Sequence, residues 1–477
     1  MPSAFKSFVA REGGSLRLLA IGMLTLVLLI PLAMVEGVIQ ERRGYSMNVL
    51  ADIAAQHGDA QRLVGPLLVV PYVIEVEQTI RTGGSTAAGE MVRAKAERTV
   101  VALLPPRELN VHAALAHEIL RRGVYEAPVY RGDIVLKGDF VVPDLARSIP
   151  NFVRADWSKA AVALTTSDLS GLARAAALET GAGDIPFAPG PPGFAAEMFD
   201  RAGARAIHAP LALDGPPTGP LSFKVALGLN GSMGFYLAPI GNETAFVLEG
   251  DWPHPSFQGA PLPADRRVDD TGFKARWNVP ALAGGYGAIW TGASASSRLQ
   301  DAAREAVGFR HARPEDVFVG ATRAVKYGVL FVALTFLACF VLERFGGRRL
   351  HPAQYGLVGL SLALFYLLLI ALAERIGLLP AYVSAGAATA GMNGAYVGAA
   401  LRSLRRGIGV ALSLGLLYAA FYVMLASEDD ALLIGAGLLL VGLALAMSVT
   451  ARMNEKSVIE DQDQPALEPL AGKPGET

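Results

Sequence analysis

Hydrophobic and polar positions are distributed along this chain in two ways. In the last third, five runs are apolar with almost no interruption: Tyr327–Leu342, Tyr355–Ala373, Leu378–Leu401, Ile408–Ala426 and Ala431–Ala451. A sixth, Leu18–Val35, lies near the N-terminus. Their lengths suit helices that cross the hydrocarbon core of a bilayer. Tyr355–Ala373 is uncharged, with Arg344, Arg348 and Arg349 before it and Glu374-Arg375 after it. His351-Pro352 predicts a sharp start, since proline fits a first helical turn where its missing N–H is no loss. Pro31 predicts a local kink in the first run, because it frees the carbonyl of Val27.

From Glu36 to about Arg323 no run reaches membrane length, and a segment that long can build its own core. Tyr45–His57 carries Met47, Leu50, Ile53 and Ala54 at helical spacing and predicts an extension of the first helix. Leu67–Val76 reads as a buried strand interrupted at Pro71. Downstream the period becomes two. Phe223, Val225, Leu227 and Leu229 alternate with Lys224, Ala226, Gly228 and Asn230. Phe273, Ala275 and Trp277 alternate with Lys274, Arg276 and Asn278, and Ile134, Leu136 and Phe140 oppose Lys137 and Asp139. Such alternation predicts strands with one buried and one wet face. Asn230-Gly231 predicts a hairpin turn, and the glycine- and proline-rich residues 180–205 a loop with one short helix over Phe194–Arg205. The fold class expected is a membrane α-helical bundle of six transmembrane helices plus a large β-rich, sandwich-like domain.

Composition sharpens this picture. Charged residues make up 18% and hydrophobic ones 52%, with mean hydropathy +0.37, which is too apolar for an ordinary soluble chain. The net charge of −1 gives no basis for nucleic-acid binding. Cys339, the single cysteine, lies in an apolar run and excludes an intrachain disulfide or a cysteine-built metal site. The first run is longer than a signal-peptide core and no small-x-small cleavage site follows it, so an uncleaved anchor is expected. Basic residues set the orientation. Lys6, Arg11 and Arg17, then Arg344, Arg348 and Arg349, then Arg402, Arg405 and Arg406, then Arg452 and Lys456 all fall on one side of a six-span path. The short loops of the other side hold only Glu374-Arg375 and Glu428-Asp429-Asp430. Both termini are therefore expected in the cytoplasm. The division expected is a tail over 1–17, an anchor over 18–35, a periplasmic β-rich domain over 36–323, five helices over 324–452 and a polar, disordered tail over 453–477.

Candidate chemistry is sparse. In Leu378–Leu401 the small residues Ala387, Gly391, Ala395 and Ala399 form one i, i+4 row, and Ala390, Gly394 and Gly398 the adjacent one. Rows of this kind let membrane helices approach closely. Asn393 in the same helix is expected to bond across a helix interface. No Asp, Glu, Lys, Arg or His sits in the middle of any run, which argues against ion-coupled transport. Outside the membrane, Asp251-Trp252-Pro253-His254-Pro255-Ser256-Phe257 is the most unusual stretch. Its prolines hold an extended turn, with Trp252 expected in the core and Phe257 either in the core or on display. His254 has no second histidine, cysteine or acidic cluster at ligand spacing, and no phosphate-binding glycine loop or hydrolase motif occurs. His351 is expected to act as a helix cap or interfacial group. No catalytic, cofactor-binding or metal residue is assigned.

These residues resemble the CreD family, the inner-membrane cell envelope integrity proteins of Gram-negative bacteria. The most specific match is Leu350-His351-Pro352 with Gln354-Tyr355, followed by Leu357–Leu362 and Phe365–Leu369. Trp252–Phe257, then Phe273, Ala275 and Trp277, is similar to the family's outer-domain signature, and Leu63–Leu67 and Arg323-Ala324 with Lys326-Tyr327 also fit. The resemblance covers nearly the whole chain apart from residues near 180–205 and the C-terminal tail. It implies a place in the inner membrane and a role in envelope stress, with tolerance to certain colicins, β-lactam-related phenotypes and control by a two-component system. It implies no enzymatic activity and no cofactor. The function expected is a non-enzymatic membrane protein in contact with the lipid bilayer, whose outer β domain binds a periplasmic protein or an envelope glycolipid or peptidoglycan. The alternatives are a transporter or flippase working through residues 327–451, and an envelope hydrolase using His254.

Overall fold

A computed structural model describes residues 22–82, 90–123, 125–174, 176–181, 183–280, 285–311, 317–344, 351–427 and 430–462. They fall into two compact units, Ser46–Pro314 on the one hand and the residues up to Tyr45 with those from Glu315 onward on the other.

The first unit is built on β-strands. In chain order these are β1 (Gln61–Thr82), β2 (Glu90–Leu104), β3 (Glu108–Arg122), β4 (Tyr125–Phe140), β5 (Phe152–Ala155), β6 (Ala161–Thr166), β7 (Ala177–Thr180), β8 (Gly183–Pro186) and β9 (Ala188–Pro189). There follow β10 (Arg205–Pro210), β11 (Leu221–Ser232), β12 (Gly234–Leu237), β13 (Glu243–Gly250), β14 (Pro255–Gln258), β15 (Asp265–Asp269), β16 (Gly272–Pro280), β17 (Trp290–Thr291) and β18 (Val307–His311). One sheet runs β14–β18–β12–β1–β6–β10–β9, with β2 and β5 also on β1 and β17 on β2. The other runs β15–β16–β13–β3–β4–β11–β7–β8. Most neighbours are antiparallel; β1–β12 and β13–β3 are parallel.

The two sheets share one buried core, which makes the unit sandwich-like. Leu109, Val111, Ala113 and Leu115 of β3, Phe246 of β13 and Trp277 of β16 meet Leu67, Phe235 and Phe309 of the other sheet in it. Burying each such large side chain contributes about 1.5–3 kcal/mol. In β1 the residues Leu67, Leu68, Val69 and Val70 are all fully buried, so both faces are covered there. The helix Ala293–Arg304 packs along β1 and buries Ala295, Leu299 and Ala302. This is why the sequence is continuously apolar at 67–70 and alternates in the second sheet, where one face is wet.

Two local expectations are corrected. β1 does not break at Pro71. Pro71 lies opposite Val101 of β2, while its carbonyl accepts from the Asp156 N–H at 2.9 Å. Since N–H and C=O of one strand residue point the same way, the missing donor points away from β2. It falls in the gap between β6, whose pairing ends at Val69↔Ala161, and β5, which starts at Tyr72↔Ala155. No ladder bond is lost. Asn230-Gly231 is not a hairpin turn either, for both residues pair with β4 inside β11. The chain instead turns at Met233, in the left-handed region at φ 63°, and crosses to the other sheet as β12. Glycine is required at 231 because a Cβ there would overlap the Tyr130 hydroxyl, which donates to the Gly234 carbonyl at 3.0 Å.

The second unit is helical. Its elements are α1 (Leu29–His57, which runs on into the first unit), α2 (Val317–Lys326), α3 (Gly328–Arg344), α4 (Pro352–Ile376), α5 (Leu378–Ala400), α6 (Leu404–Ala426) and α7 (Ala431–Gln462). The helix of α1 begins at Gly22, and its pattern is interrupted at Leu28, beside the carbonyl that Pro31 frees. Among the described residues three helices are long and apolar enough to cross a membrane: Gly22–His57, α4 and α6. A fourth arises if α2 and α3, bent by 52° at Tyr327, are one broken span. The expected count of six is thus met only in part. α5 has the length, but Pro380, Ser384, Thr389, Asn393 and its glycines lower its hydropathy, and in α7 the apolar stretch among the described residues is Ala431–Leu445. α7 runs to Gln462, beyond Met453 where a disordered tail was expected, because no proline intervenes before Pro465.

Only one of the two small-residue rows of α5 is a helix contact. Ala390, Gly394 and Gly398 are buried against α6, and a Cβ on Gly394 would lie 2.7 Å from the Ala411 Cβ and 2.8 Å from the Gly407 carbonyl oxygen. The other row, Ala387, Gly391, Ala395 and Ala399, is exposed, and Gly391 has open space beside it.

Candidate functional site

The turn Asp251–Pro255 closes over one end of the β core, and the residue that organises it comes from a distant strand. Along β3 the inward positions run Leu109, Val111, Ala113, Leu115 and then His117. The His117 side chain is only 4% exposed, and its Nδ1 lies 2.7 Å from Asp251 Oδ1. The same carboxylate oxygen accepts from the His117 backbone N–H at 2.7 Å. Nδ1 is therefore the protonated nitrogen of a neutral imidazole, and Nε2 is buried with no hydrogen-bond partner. Burial pushes the His117 pKa below its ordinary value, although the Asp251 carboxylate pulls the other way. Burial would push the Asp251 carboxyl up, but the His117 donors hold it below the usual range.

Aromatic rings surround this imidazole. Those of Tyr130, Trp252, Phe273 and Phe309 lie at 5.9–6.4 Å, and His311 of β18 stands edge-on at 5.1 Å. Trp252 is half-buried over the cluster, 5.1 Å from His311, and its Nε1 donates to the His254 carbonyl at 2.9 Å. Full burial of Trp252 was expected; the fully buried tryptophans are Trp277 and Trp290. Phe257, also half-buried, lies opposite Phe309 in the β14–β18 pair and meets Phe273 and Trp277 edge-on at 5.9 Å. His254 itself is exposed, and Asp251, its near neighbour in sequence, serves His117 instead. Among the described residues no group of three or more His, Cys, Asp or Glu is placed to share a metal ion.

Asp251 also borders the outer face of the second sheet. There a groove of about 560 Å³ runs past Ala114, Arg131, Glu249, Asp251, Asp269 and Lys274. A second one, of about 470 Å³, is lined by Asn110, His112, Lys137, Val247, Arg276 and Asn278, among others. Strand register lays these side chains in rows: Lys137–Asn110–Ala245–Asn278, then Val135–His112–Val247–Arg276. Glu249 holds both His112 Nε2, at 3.2 Å, and Lys274 Nζ, at 3.0 Å. The short Ala114 and Ala245 leave a trough between longer polar neighbours. Hydrogen-bond donors, acceptors and both charges thus line a broad open surface, the kind that recognises a polar partner and lacks a buried reacting centre.

In the helical unit, His351 and Gln354 form a reciprocal cap on α4. His351 Nδ1 accepts from the Ala353 N–H at 3.2 Å, and Gln354 Oε1 accepts from the His351 N–H at 2.8 Å. Tyr355 is buried edge-on to Phe336. Asn393 Nδ2 donates to Ser361 Oγ at 2.7 Å, an interhelical bond between α5 and α4.

His117 and His311 are the site residues that sequence reasoning missed. The signal was available, because continuing the period of two along β3 and along Val307-Gly308-Phe309 points both inward. Their meeting with Asp251 was not, since 134 residues separate Asp251 from His117.

Taken together, these features define a membrane protein with helices able to span a bilayer and a large β-sandwich unit. The family model described as inner membrane protein CreD matches residues 14–455. The inner membrane protein CreD of Escherichia coli (strain K12) is 33% identical over 431 residues, covering 90% of this chain and 91% of that protein. The chain belongs to the CreD inner-membrane protein family. A solved structure of an M1 zinc metallopeptidase from Deinococcus radiodurans aligns over 72% of this chain and 87% of that one, at 9% identity and a TM-score of 0.21, too low to carry any argument.

Proposed function

We propose that this protein is a non-enzymatic, multi-pass inner-membrane protein that supports cell envelope integrity under stress, and that it binds an envelope component through the outer face of its second sheet. The observation that carries this reading is a pair of open grooves on an otherwise regular sheet face, lined by charged and hydrogen-bonding side chains, the first of them bordered by Asp251. A catalytic reading has less support, because the oriented base His117 is sealed among rings and no nucleophile stands beside it among the residues that touch it. The topology proposed has six spans, with α2–α3, α5 and α7 each crossing once, both termini in the cytoplasm and the β unit in the periplasm. Arg402 in the α5–α6 connection, with Arg405 and Arg406 in the first turn of α6, supports it.

The test is complementation. A deletion strain carrying Lys137→Glu with Arg276→Glu should lose envelope-stress tolerance while the protein accumulates at the parent level, since both substitutions lie on an exposed face. Full complementation by that double variant would remove the sheet face from the function. A deletion strain with unaltered envelope tolerance would remove the broader role.

A further inference from the structure

We propose that His117, with His311 beside it, is an acid-operated latch that holds the segment Asp251–Gln258 closed at neutral pH and releases it when the surroundings acidify. The geometry has three parts. His117 is fixed through Nδ1 by Asp251 at 2.7 Å, so the turn is tethered to β3 through one imidazole. The opposite nitrogen, Nε2, is buried and accepts no hydrogen bond. A proton added there would make a cation with one buried, unsatisfied N–H, which a protein interior tolerates poorly. The His311 ring stands edge-on to it at 5.1 Å and brings a second imidazole to the cluster.

The titratable groups facing His117 are few. From the turn after β13 there is Asp251; from β18, His311; from β4, Tyr130, whose hydroxyl donates to the Gly234 carbonyl. β16 contributes Phe273, and its neighbour Lys274 is occupied by Glu249 on the outer face. Among the described residues Asp251 is thus the one anion set against the polar atoms of the His117 ring, and it is already bonded to Nδ1. It remains ionised as His117 gains its proton, because its own pKa is held low.

Water reaches Nε2 most easily by displacing Trp252. That ring is half-buried, and its indole N–H donates to the His254 carbonyl of its own turn. β14, which follows, is a four-residue strand at the edge of its sheet, bonded to β18 alone. Short edge elements with few neighbours open at the least cost. The sign is that of a buried neutral base: the folded pKa lies below the unfolded one. The closed form is therefore fully favoured above about pH 6.5 and weakens as pH falls toward the folded value. Opening also frees the Asp251 wall of the groove, so the latch would couple acidity to that face.

The experiment is hydrogen exchange on the full chain in nanodiscs at pH 7.5 and 5.0, corrected for intrinsic rates. Peptides covering Asp251–Gln258 should exchange at least tenfold faster at pH 5.0, while those covering β11 stay unchanged. His117→Asn, whose amide can keep the bond to Asp251, should abolish the acid response. Should that variant fail to fold, His117→Phe, which suits the ring cluster, replaces it with the same expectation. An unchanged rate in the parent overturns the latch, as does an equal acid response in the His117 variant that folds. Loss of the response in His311→Phe with its retention in His117→Asn also overturns the assignment to His117. None of these outcomes depends on the protein's binding a partner, so the latch and the proposed function can fail separately.

Discussion

Trp277 and Trp252 sit in the same unit and behave as different kinds of residue. Trp277 is fully buried, stacked on Phe246 at 5.0 Å. Removing it leaves a cavity that the neighbouring rings cannot fill, so Trp277→Ala should cost about 3–5 kcal/mol. Trp252 covers its cluster with one face and leaves the other exposed, and truncating it should cost about 1–1.5 kcal/mol, near half the value of full burial. Circular-dichroism melting of the full chain in detergent, read in the β-sheet band, checks the order. Equal losses would show that Trp252 is as much a part of the core as Trp277. The same contrast explains why proline-rich turns mislead: Pro253 and Pro255 fix the backbone direction, but they say nothing about which face of the indole meets solvent.

At the scale of elements, α5 separates two rows that look alike in sequence. Gly394→Leu should force α5 from α6, because its Cβ alone would stand 2.7 Å from Ala411. Overpacking of this kind costs about 1–3 kcal/mol. Gly391→Leu, one turn away on the exposed row, should accumulate normally. Protease resistance of the membrane fraction measures both, and an equal effect of the two would mean that the α5–α6 contact is placed wrongly. At the start of α4, Gln354→Ala removes half of the reciprocal cap and should cost about 0.5–2 kcal/mol. Gln354→Glu should restore most of that, since a carboxylate can accept the same His351 N–H and suits a helix N-terminus. A variant series in which Ala and Glu melt alike would count against the cap as the reason for this dipeptide.

For the whole molecule, the decisive quantity is the number of crossings. Reporter fusions after Gly346 and after Arg406 should read cytoplasmic, and fusions near Gly231 and at Asp429 periplasmic. α5 is the critical element, because it is long enough to cross but gains its place by close packing against α6 rather than by apolar surface toward lipid. If α5 did not cross, Arg406 would read periplasmic and the basic loops would no longer share a side. That single result would reduce the bundle to five spans, an odd number, and reverse the direction in which α6 and α7 cross.

Much of this architecture was legible in the residues. Apolar runs around α4 and α6, and period-two alternation in β11 and β16, depend only on local burial, so they are written directly in the sequence. His351-Pro352 announced the start of α4 for the same reason. Residues whose role depends on something far along the chain were not legible. Asn230-Gly231 has the form of a turn, yet it is a place where strand backbone passes under the Tyr130 ring. Pro71 has the form of a strand breaker, yet β5 and β6 leave the gap into which its missing donor points. Asp251 lies three residues from His254 along the chain but bonds to His117, because the parallel register of β13 on β3 brings Gly250 beside Leu115 and so carries Asp251 up to His117. Hydrophobic pattern determines which face of an element is buried, whereas only the order and register of strands determine which side chains meet there.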